Sequence, residues 1–243
     1  MWDNILNWKL LRGSHEFPGP AGGTCINEAA IVAAGFEYRE VRSAADCPPC
    51  FSRVIAGYAI RLNDSMPRDL RQELLMPFVL RLAGTADADE VETRRARHIA
   101  IETIKRILPI SLRAIGLEDH ARRCEQVDDL TAAKAAAHAA AYAASISGAS
   151  GASAVASAAS GAAAYAGAAH AAHAAADAYA ANTAFAPREE FFRIAVVILD
   201  EAIKLGNQAE PIEMPLVVRR METMKQSAPE NSAEALPSLG AMI

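Results

Sequence analysis

An alanine-rich tract in the second half of the chain sets the strongest limit on its fold. Between Thr131 and Ala180 there are 29 alanines in 50 residues. Alanine has the highest helix propensity of the natural residues, but its side chain buries little apolar surface. Hydrophobic residues make up 52% of the chain, whereas aromatic residues make up only 6%. We therefore predict an all-α protein and exclude a strand-rich sandwich or barrel.

The tract itself allows two interpretations. From Ala135 to Ala176 there is no Asp, Glu, Lys or Arg, and these 42 residues are long enough to span a membrane. Against this, alanine, serine, glycine and histidine insert weakly, and the flanks lack the basic cluster and aromatic belt of a span. We favour an alanine-rich hairpin of two helices, at about 132–146 and 161–182. A bulky helix after Pro187 is expected to supply the apolar volume that the alanines lack.

Changes in composition divide the rest of the chain. The N-terminal region is rich in Gly and Pro and leaves room for one short helix, at about 27–34. After Phe51, apolar residues at helical spacing predict a helix with one buried face. The next helix is expected to extend to Leu82, with a kink at Pro77. A longer helix is expected to stop at Pro109. The predicted regions are a loop-rich cap (1–50), a helical core (51–130), the alanine-rich hairpin (131–187), a bulky helix with an extension (188–225) and a flexible tail (226–243).

Charge and the N-terminal sequence bear on compartment and partners. The net charge of −5 gives no basic field that would attract nucleic acid or an anionic membrane, so neither is an expected partner. The beginning of the chain lacks the features of a signal peptide, so we expect a cytoplasmic protein whose four cysteines are thiols or metal ligands. A basic cluster beside acidic residues is expected to form a solvated mixed face; its members are Arg94, Arg95, Arg97 and His98.

Four residues of the cap carry the donor atoms that zinc prefers. They are His15, Cys25, Cys47 and Cys50. Two cysteines separated by two residues can reach one ion, and three thiolates with one imidazole form a closed structural zinc site. Zinc binding would also supply folding energy to a segment that is rich in turns. The alternatives are unconnected thiols with a surface histidine, or a redox dithiol, although the strand–helix–strand setting of thioredoxin-like pairs is absent.

Three segments of the chain resemble a family of uncharacterised bacterial and phage-encoded proteins. The segments are GSHEFPGPAGGTCINEAA (13–30), CPPC (47–50) and LLMPFVLRLAGTADADEVETRRA (74–96). The resemblance covers roughly the first 110 residues. Members of that family often carry His-Pro-x-Cys in place of CPPC, an exchange that a zinc site permits. The resemblance implies a shared structure and no particular activity.

Glu28 raises an enzymatic alternative. Cys25-x-x-Glu28 followed by CPPC is similar to the zinc nucleoside and nucleobase deaminases, in which a glutamate acts on a zinc-bound water. The chain departs from that pattern because two residues, not one, separate Cys25 from Glu28. In addition, the residue directly before Cys47 is not proline. The other interpretation of Glu28 is an acidic residue in the first turn of a helix, stabilised by the helix dipole.

A second, weaker metal site is conceivable within the alanine-rich tract. His170, His173 and Asp177 lie three and four residues apart, on one face of a helix, and His138 could face them. A polar stripe on an apolar helix explains the same spacing. The sequence as a whole thus favours a cytoplasmic helical binding or interaction protein with a structural zinc ion, whose partner is a protein or a second copy. The alternative is a zinc-dependent hydrolase or deaminase with Glu28 as general base.

Overall fold

Helices form most of the chain that the structure describes. This computed structural model describes residues 8–16, 23–146 and 188–206. The α-helices are α1 (Ile26–Ala33), α2 (Arg53–Ser65), α3 (Arg68–Leu75), α4 (Asp89–Glu102), α5 (Leu108–Ala114), α6 (Glu118–Glu125), α7 (Leu130–Ile146) and α8 (Arg188–Lys204). Short 3-10 helices cover Ala44–Asp46 and Met76–Phe78, and a π-helical segment covers Thr103–Ile107. The described residues contain one isolated β-bridge and no strand, so the all-α prediction is confirmed.

The main core joins the N-terminal cap to helices far along the chain. Leu10, Ile26 and Val41 of the cap belong to the same buried apolar cluster as residues of α2, α4 and α8. The stripe predicted on α2 is completely buried; it consists of Val54, Ile55, Tyr58, Ala59 and Leu62. The cap therefore shares the core of the helices, which its Gly and Pro content did not predict.

Residues 8–13 form an extended segment that is held from two sides. On one side, Leu11 N–H donates to the carbonyl of Thr24 at 2.9 Å, and Thr24 N–H donates to the carbonyl of Lys9 at 3.1 Å. On the other side, the Gln72 side chain of α3 accepts from Leu10 N–H and donates to the Trp8 carbonyl, both at 2.9 Å. These hydrogen bonds fix the position of the segment relative to α1, and His15, which follows it, lies beside that helix.

Pro109 does not stop the helix in which it lies. The chain passes from α4 through the π-helical segment into α5 without a break, which corrects the prediction of a helix end. Pro109 has no N–H to donate to the carbonyl one turn earlier, and its ring crowds that carbonyl. The wider π turn accommodates the ring, and Leu108 N–H donates instead to the Thr103 carbonyl, five residues back.

Pro77 interrupts its helix more strongly than a kink would. α3 ends at Leu75, and Pro77 lies in the 3-10 helix that follows, so the prediction of a helix reaching Leu82 is wrong. Phe78 and Leu82, which belong to the apolar spacing that predicts this helix, are nevertheless buried. The apolar spacing correctly predicted the burial of these side chains. The backbone around them, however, forms a 3-10 helix and turns instead of an α-helix.

The first arm of the alanine-rich hairpin is present as α7. Its buried face consists of alanines at positions 133, 137, 140, 141 and 144. The first four of these alanines share an apolar cluster with Ile104, Leu108, Leu112 and Cys124, which come from the π-helical segment, α5 and α6. The predicted second arm at 161–182 and the tail after 225 lie outside the described residues.

The bulky helix after Pro187 is confirmed as α8, but it packs elsewhere than expected. Phe191, Phe192, Ile198 and Leu199 are buried in the main core with α2 and α4, not in the cluster of the alanines. The apolar volume beside the buried alanines of α7 comes instead from Leu108 and Leu112 of α5 and from Ile104 of the π-helical segment. None of the described helices combines the length and the hydropathy that crossing a bilayer requires.

Candidate functional site

The four predicted zinc ligands lie in two separate surroundings. His15 and Cys25 lie beside Glu28 at the beginning of α1. Cys47 and Cys50 lie in the connection between a 3-10 helix and α2. Within the described ranges, which include all four residues, no three His, Cys, Asp or Glu side chains form a group that could hold a metal ion. The zinc site stays a prediction from the sequence.

Cys25 caps the N-terminus of α1. Its sulfur accepts from Glu28 N–H at 3.4 Å, and the Glu28 carboxylate accepts from Cys25 N–H at 2.8 Å. This reciprocal pair is a capping box, with cysteine in the place usually held by Ser or Thr. Glu28 is therefore the first-turn acidic residue that the sequence predicted, and Cys25 has a structural role at the same helix end.

The Glu28 carboxylate also collects donors from three loops of the cap. Oε1 accepts from the backbone N–H of His15 at 2.9 Å and of Val41 at 3.1 Å. Oε2 lies 3.2 Å from the Thr24 hydroxyl and 3.2 Å from Nδ1 of His15. The Glu28 side chain is 0% exposed. One buried carboxylate thus fastens residues 15, 24, 25 and 41 to the first turn of α1.

This arrangement limits the chemistry available at Glu28 and Cys25. A carboxylate offers about four lone-pair positions, and four N–H or O–H donors together with Nδ1 of His15 already surround this one. A general base must have a free oxygen within reach of the proton that it removes. Burial, and then the neighbouring Glu28 charge, raises the pKa of the Cys25 thiol well above its ordinary value. Cys25 is therefore a thiol and lacks the thiolate character of a nucleophile.

Cys47 precedes a tight turn at the junction of cap and core, and Cys50 lies within that turn. Phe51 N–H donates to the Pro48 carbonyl at 3.0 Å, which closes the turn. Arg53 donates from Nη1 to the Cys47 carbonyl at 2.7 Å, and the Cys50 carbonyl accepts from Ala86 N–H at 2.9 Å. Both cysteines are thus fixed through their backbone. α2 begins at Arg53 with Ser52 as its N-cap, so Cys50 lies outside the first helical turn.

The two thiols differ in exposure to solvent. Cys47 is 2% exposed, whereas Cys50 is half-buried. Burial raises the pKa of the Cys47 thiol to about 12, although the Arg53 and Arg39 guanidinium groups act in the opposite direction. Both residues are free cysteines. Of the two sulfurs, the one at Cys50 is the more accessible to a reagent from solvent.

The second predicted site cannot be placed. His170, His173 and Asp177 lie outside the described residues. His138 lies on the exposed face of α7, away from the buried alanines. The same exposed face carries Tyr142 and Ile146, which are 68% and 71% exposed.

Arg95 is a residue whose role the sequence analysis missed. It was assigned to a solvated face with Arg94 and Arg97, but Arg95 is 1% exposed. Its guanidinium donates to the carbonyls of Ala202 at 3.1 Å and Thr85 at 2.6 Å, and to the Glu92 carboxylate at 2.6 Å. A helical signal was present, because Arg95 lies four residues from both Val91 and Ile99, which are buried on the same face of α4.

Comparison of the chain with protein-family models, with curated proteins and with solved structures finds no match in any of the three.

Proposed function

We propose that the protein is a helical binding or interaction protein whose partner is another protein or a second copy of the chain. The observation that carries this proposal is the exposed face of α7. Tyr142 and Ile146 lie one helical turn apart and are 68% and 71% exposed. Large apolar side chains that are adjacent and exposed are typical of contact surfaces.

A groove on α8 gives further support for a binding role. It has a volume of about 500 Å³, and Ile194 and Val197 contribute apolar surface to it. Arg106, Arg193, Glu189 and Glu190 complete its lining. Apolar surface with a charged surround resembles the core and rim of a protein contact. A cytoplasmic location is part of the proposal, because all four cysteines are free thiols.

The enzymatic alternative has less support from the geometry. A hydrolase or deaminase with Glu28 as general base needs that carboxylate to reach a water or a substrate. Glu28 is fully buried and is occupied by donors from the cap itself. These contacts favour a structural role for Glu28.

Site-specific photo-cross-linking tests the proposed contact surface. A benzophenone amino acid at Tyr142 is expected to give one dominant adduct in cell extract or in the purified protein. Its mass should correspond to two copies of the chain or to the chain plus one partner. The matched control places the same group at Asp119, whose side chain is 76% exposed on α6. Equal adduct yields from the two positions would contradict a specific surface on α7.

A substrate screen tests the alternative directly. The full-length protein, with and without added zinc, is incubated with nucleosides, nucleobases and simple amides. Turnover above the buffer rate that is lost in Glu28→Gln, with the variant shown to be folded by circular dichroism, would replace the interaction protein with an enzyme.

A further inference from the structure

We propose that residues 8–13, here called the N-terminal segment, exchange between two copies of the chain. The groove that holds the segment is formed by Thr24 on one side and, on the other, by the corner where α2 ends and α3 begins. The groove of one copy would accept the segment of a second copy, and the two copies would pair by reciprocal exchange. This surface is separate from the exposed face of α7, so the inference goes beyond the function proposed above.

The groove recognises the backbone of the segment. The groove side chains that do so are Asn63, Asp64, Arg71 and Gln72. Asn63 donates from Nδ2 to the Leu11 carbonyl at 2.7 Å. Asp64 accepts from Gly13 N–H at 2.9 Å. Because these side chains belong to α2 and α3, an identical extended peptide from another chain can form the same hydrogen bonds.

Arg71 is held in place by the groove itself. Its guanidinium donates to the carbonyls of Asn63 at 2.5 Å and Met66 at 2.7 Å, both at the corner of α2 and α3. It also donates to the Leu10 carbonyl of the segment at 3.3 Å. Two of these three contacts do not involve the segment, so they position the guanidinium before a segment docks.

Two adjacent leucines give the groove its specificity. Leu10 is 1% exposed and belongs to the main core. Leu11 lies against Gly23, where an added Cβ atom would be only 2.7 Å from Cβ of Leu11. Glycine therefore leaves the space that this leucine fills. The groove thus selects an extended peptide with two consecutive leucines, and the N-terminal segment of a second copy is such a peptide.

The connection after the segment favours exchange. The bridge between Leu10 and Thr24 is parallel, and parallel neighbours are normally joined by a crossover of about a dozen residues or more. Residues 12–23 are all that joins Leu11 to Thr24, and they include Pro18 and Pro20. A connection of near-minimal length that is stiffened by proline gives docking within one chain only a small entropic advantage. Exchange of an identical element is then a low-cost route to a dimer.

Isotope-resolved cross-linking of the full-length protein tests the proposal. A diazirine amino acid replaces Leu11, beside Gly23. Unlabelled protein and protein labelled with heavy nitrogen are mixed in urea, refolded together at increasing concentration and irradiated. Trypsin cleaves after Arg12, so the product joins the peptide 10–12 to the peptide 13–39. We expect products with one labelled and one unlabelled half, in a fraction that rises with protein concentration.

Two results of this experiment would overturn the proposal. Products with a single isotope at every concentration would mean that the segment docks only in its own chain. The absence of any cross-link between these peptides would mean that the segment does not lie against Gly23.

Complementary variants test the fit of segment and groove. Gly23→Ala is expected to lower the melting temperature, because its Cβ overlaps Leu11, whereas Leu11→Ala leaves room for that atom. In an exchanged pair of the two variants each groove meets a segment that fits. Refolding them together should therefore raise the melting temperature of Gly23→Ala by several degrees.

The matched control refolds the same total amount of Gly23→Ala alone. The gain should persist when both chains also carry Tyr142→Ser, which alters the α7 face. A melting temperature of Gly23→Ala that is the same with and without Leu11→Ala would contradict exchange of the segment.

Discussion

At the scale of single residues, the Glu28 carboxylate explains how a segment rich in Gly and Pro keeps a defined shape. Its oxygens accept from His15 and Val41, which lie 13 positions before and 13 positions after Glu28 in the sequence. The backbone N–H groups of these loops are not paired through a regular ladder of hydrogen bonds, as they would be in a sheet. The Glu28 carboxylate serves as their shared acceptor instead. The neighbouring Tyr38 takes part as well, because its hydroxyl donates to the His15 carbonyl. Burial and the Glu28 charge raise the pKa of Tyr38, which keeps that hydroxyl a donor.

We expect Glu28→Gln to lower the free energy of unfolding by about 2–3 kcal/mol, because a buried amide nitrogen would face backbone donors that it cannot accept. Urea unfolding followed by circular dichroism measures the effect. Glu37→Gln is the matched control, since Glu37 is exposed in the same cap, and it should leave stability unchanged. Equal effects of the two substitutions would show that the Glu28 contacts do not hold the cap.

At the scale of secondary-structure elements, α7 shows that alanine can form a specific packing face. Four of its five buried alanines share a cluster with Leu108 and Leu112 of α5 and Ile104 of the π-helical segment, so these neighbours supply larger side chains. Small side chains let helix backbones approach closely, which leaves little room for added volume. Two of the larger apolar side chains of α7, Tyr142 and Ile146, are exposed to solvent instead.

Enlarging an alanine of this face should therefore overpack it. We expect Ala137→Leu to lower the free energy of unfolding by about 1–3 kcal/mol, because Ala137 is fully buried. Ala135→Leu places the same side chain on the exposed face and should have little effect on the melting temperature. The comparison uses thermal unfolding of the two full-length variants. A similar melting temperature for both would mean that the alanine face is not closely packed.

Periodic patterns predicted the elements better than they predicted the site. The stripe of α2 and the bulky helix α8 followed from apolar spacing, because burial of a helix face depends on positions that are local in sequence. The π-helical segment before Pro109 did not follow from apolar spacing. Whether a helix continues past a proline depends on its packing against neighbouring elements, which local spacing does not report. The zinc ligands illustrate the same limit. Spacing along the chain showed that His15 and Cys25 carry suitable atoms, but not that Glu28 engages both.

At the scale of the whole molecule, Arg95 connects three distant parts of the chain. It joins α4 to the loop at Thr85 and to the C-terminal end of α8 at Ala202. The contact is close, because a Cβ atom on Gly206 would lie 1.9 Å from Nη2 of Arg95. Glycine after the end of α8 therefore leaves space for the guanidinium group. The planar group serves several acceptors at once, which a lysine ammonium cannot do in the same geometry.

We expect Arg95→Lys to lower the free energy of unfolding by about 2–3 kcal/mol, since buried acceptors at Thr85 or Ala202 would lose their donor. Hydrogen exchange should show the largest loss of protection in α8. Arg94→Lys alters the neighbouring exposed residue and should preserve the exchange pattern. Protection of α8 that is equal in the two variants would rule out Arg95 as its anchor.

The docking of α8 into the main core also sets an order of events during synthesis of the chain. The Tyr58 hydroxyl of α2 donates to the Ala195 carbonyl of α8, a contact between residues 137 positions apart. Every residue of α1 to α7 leaves the ribosome before Phe191 and Phe192 do. Until then the parts of α2 and α4 that pack against α8 lack their cover, and exposed apolar surfaces attract chaperones or other nascent chains. Contacts of this sequence separation also slow folding, so the main core closes only after α8 has been synthesised.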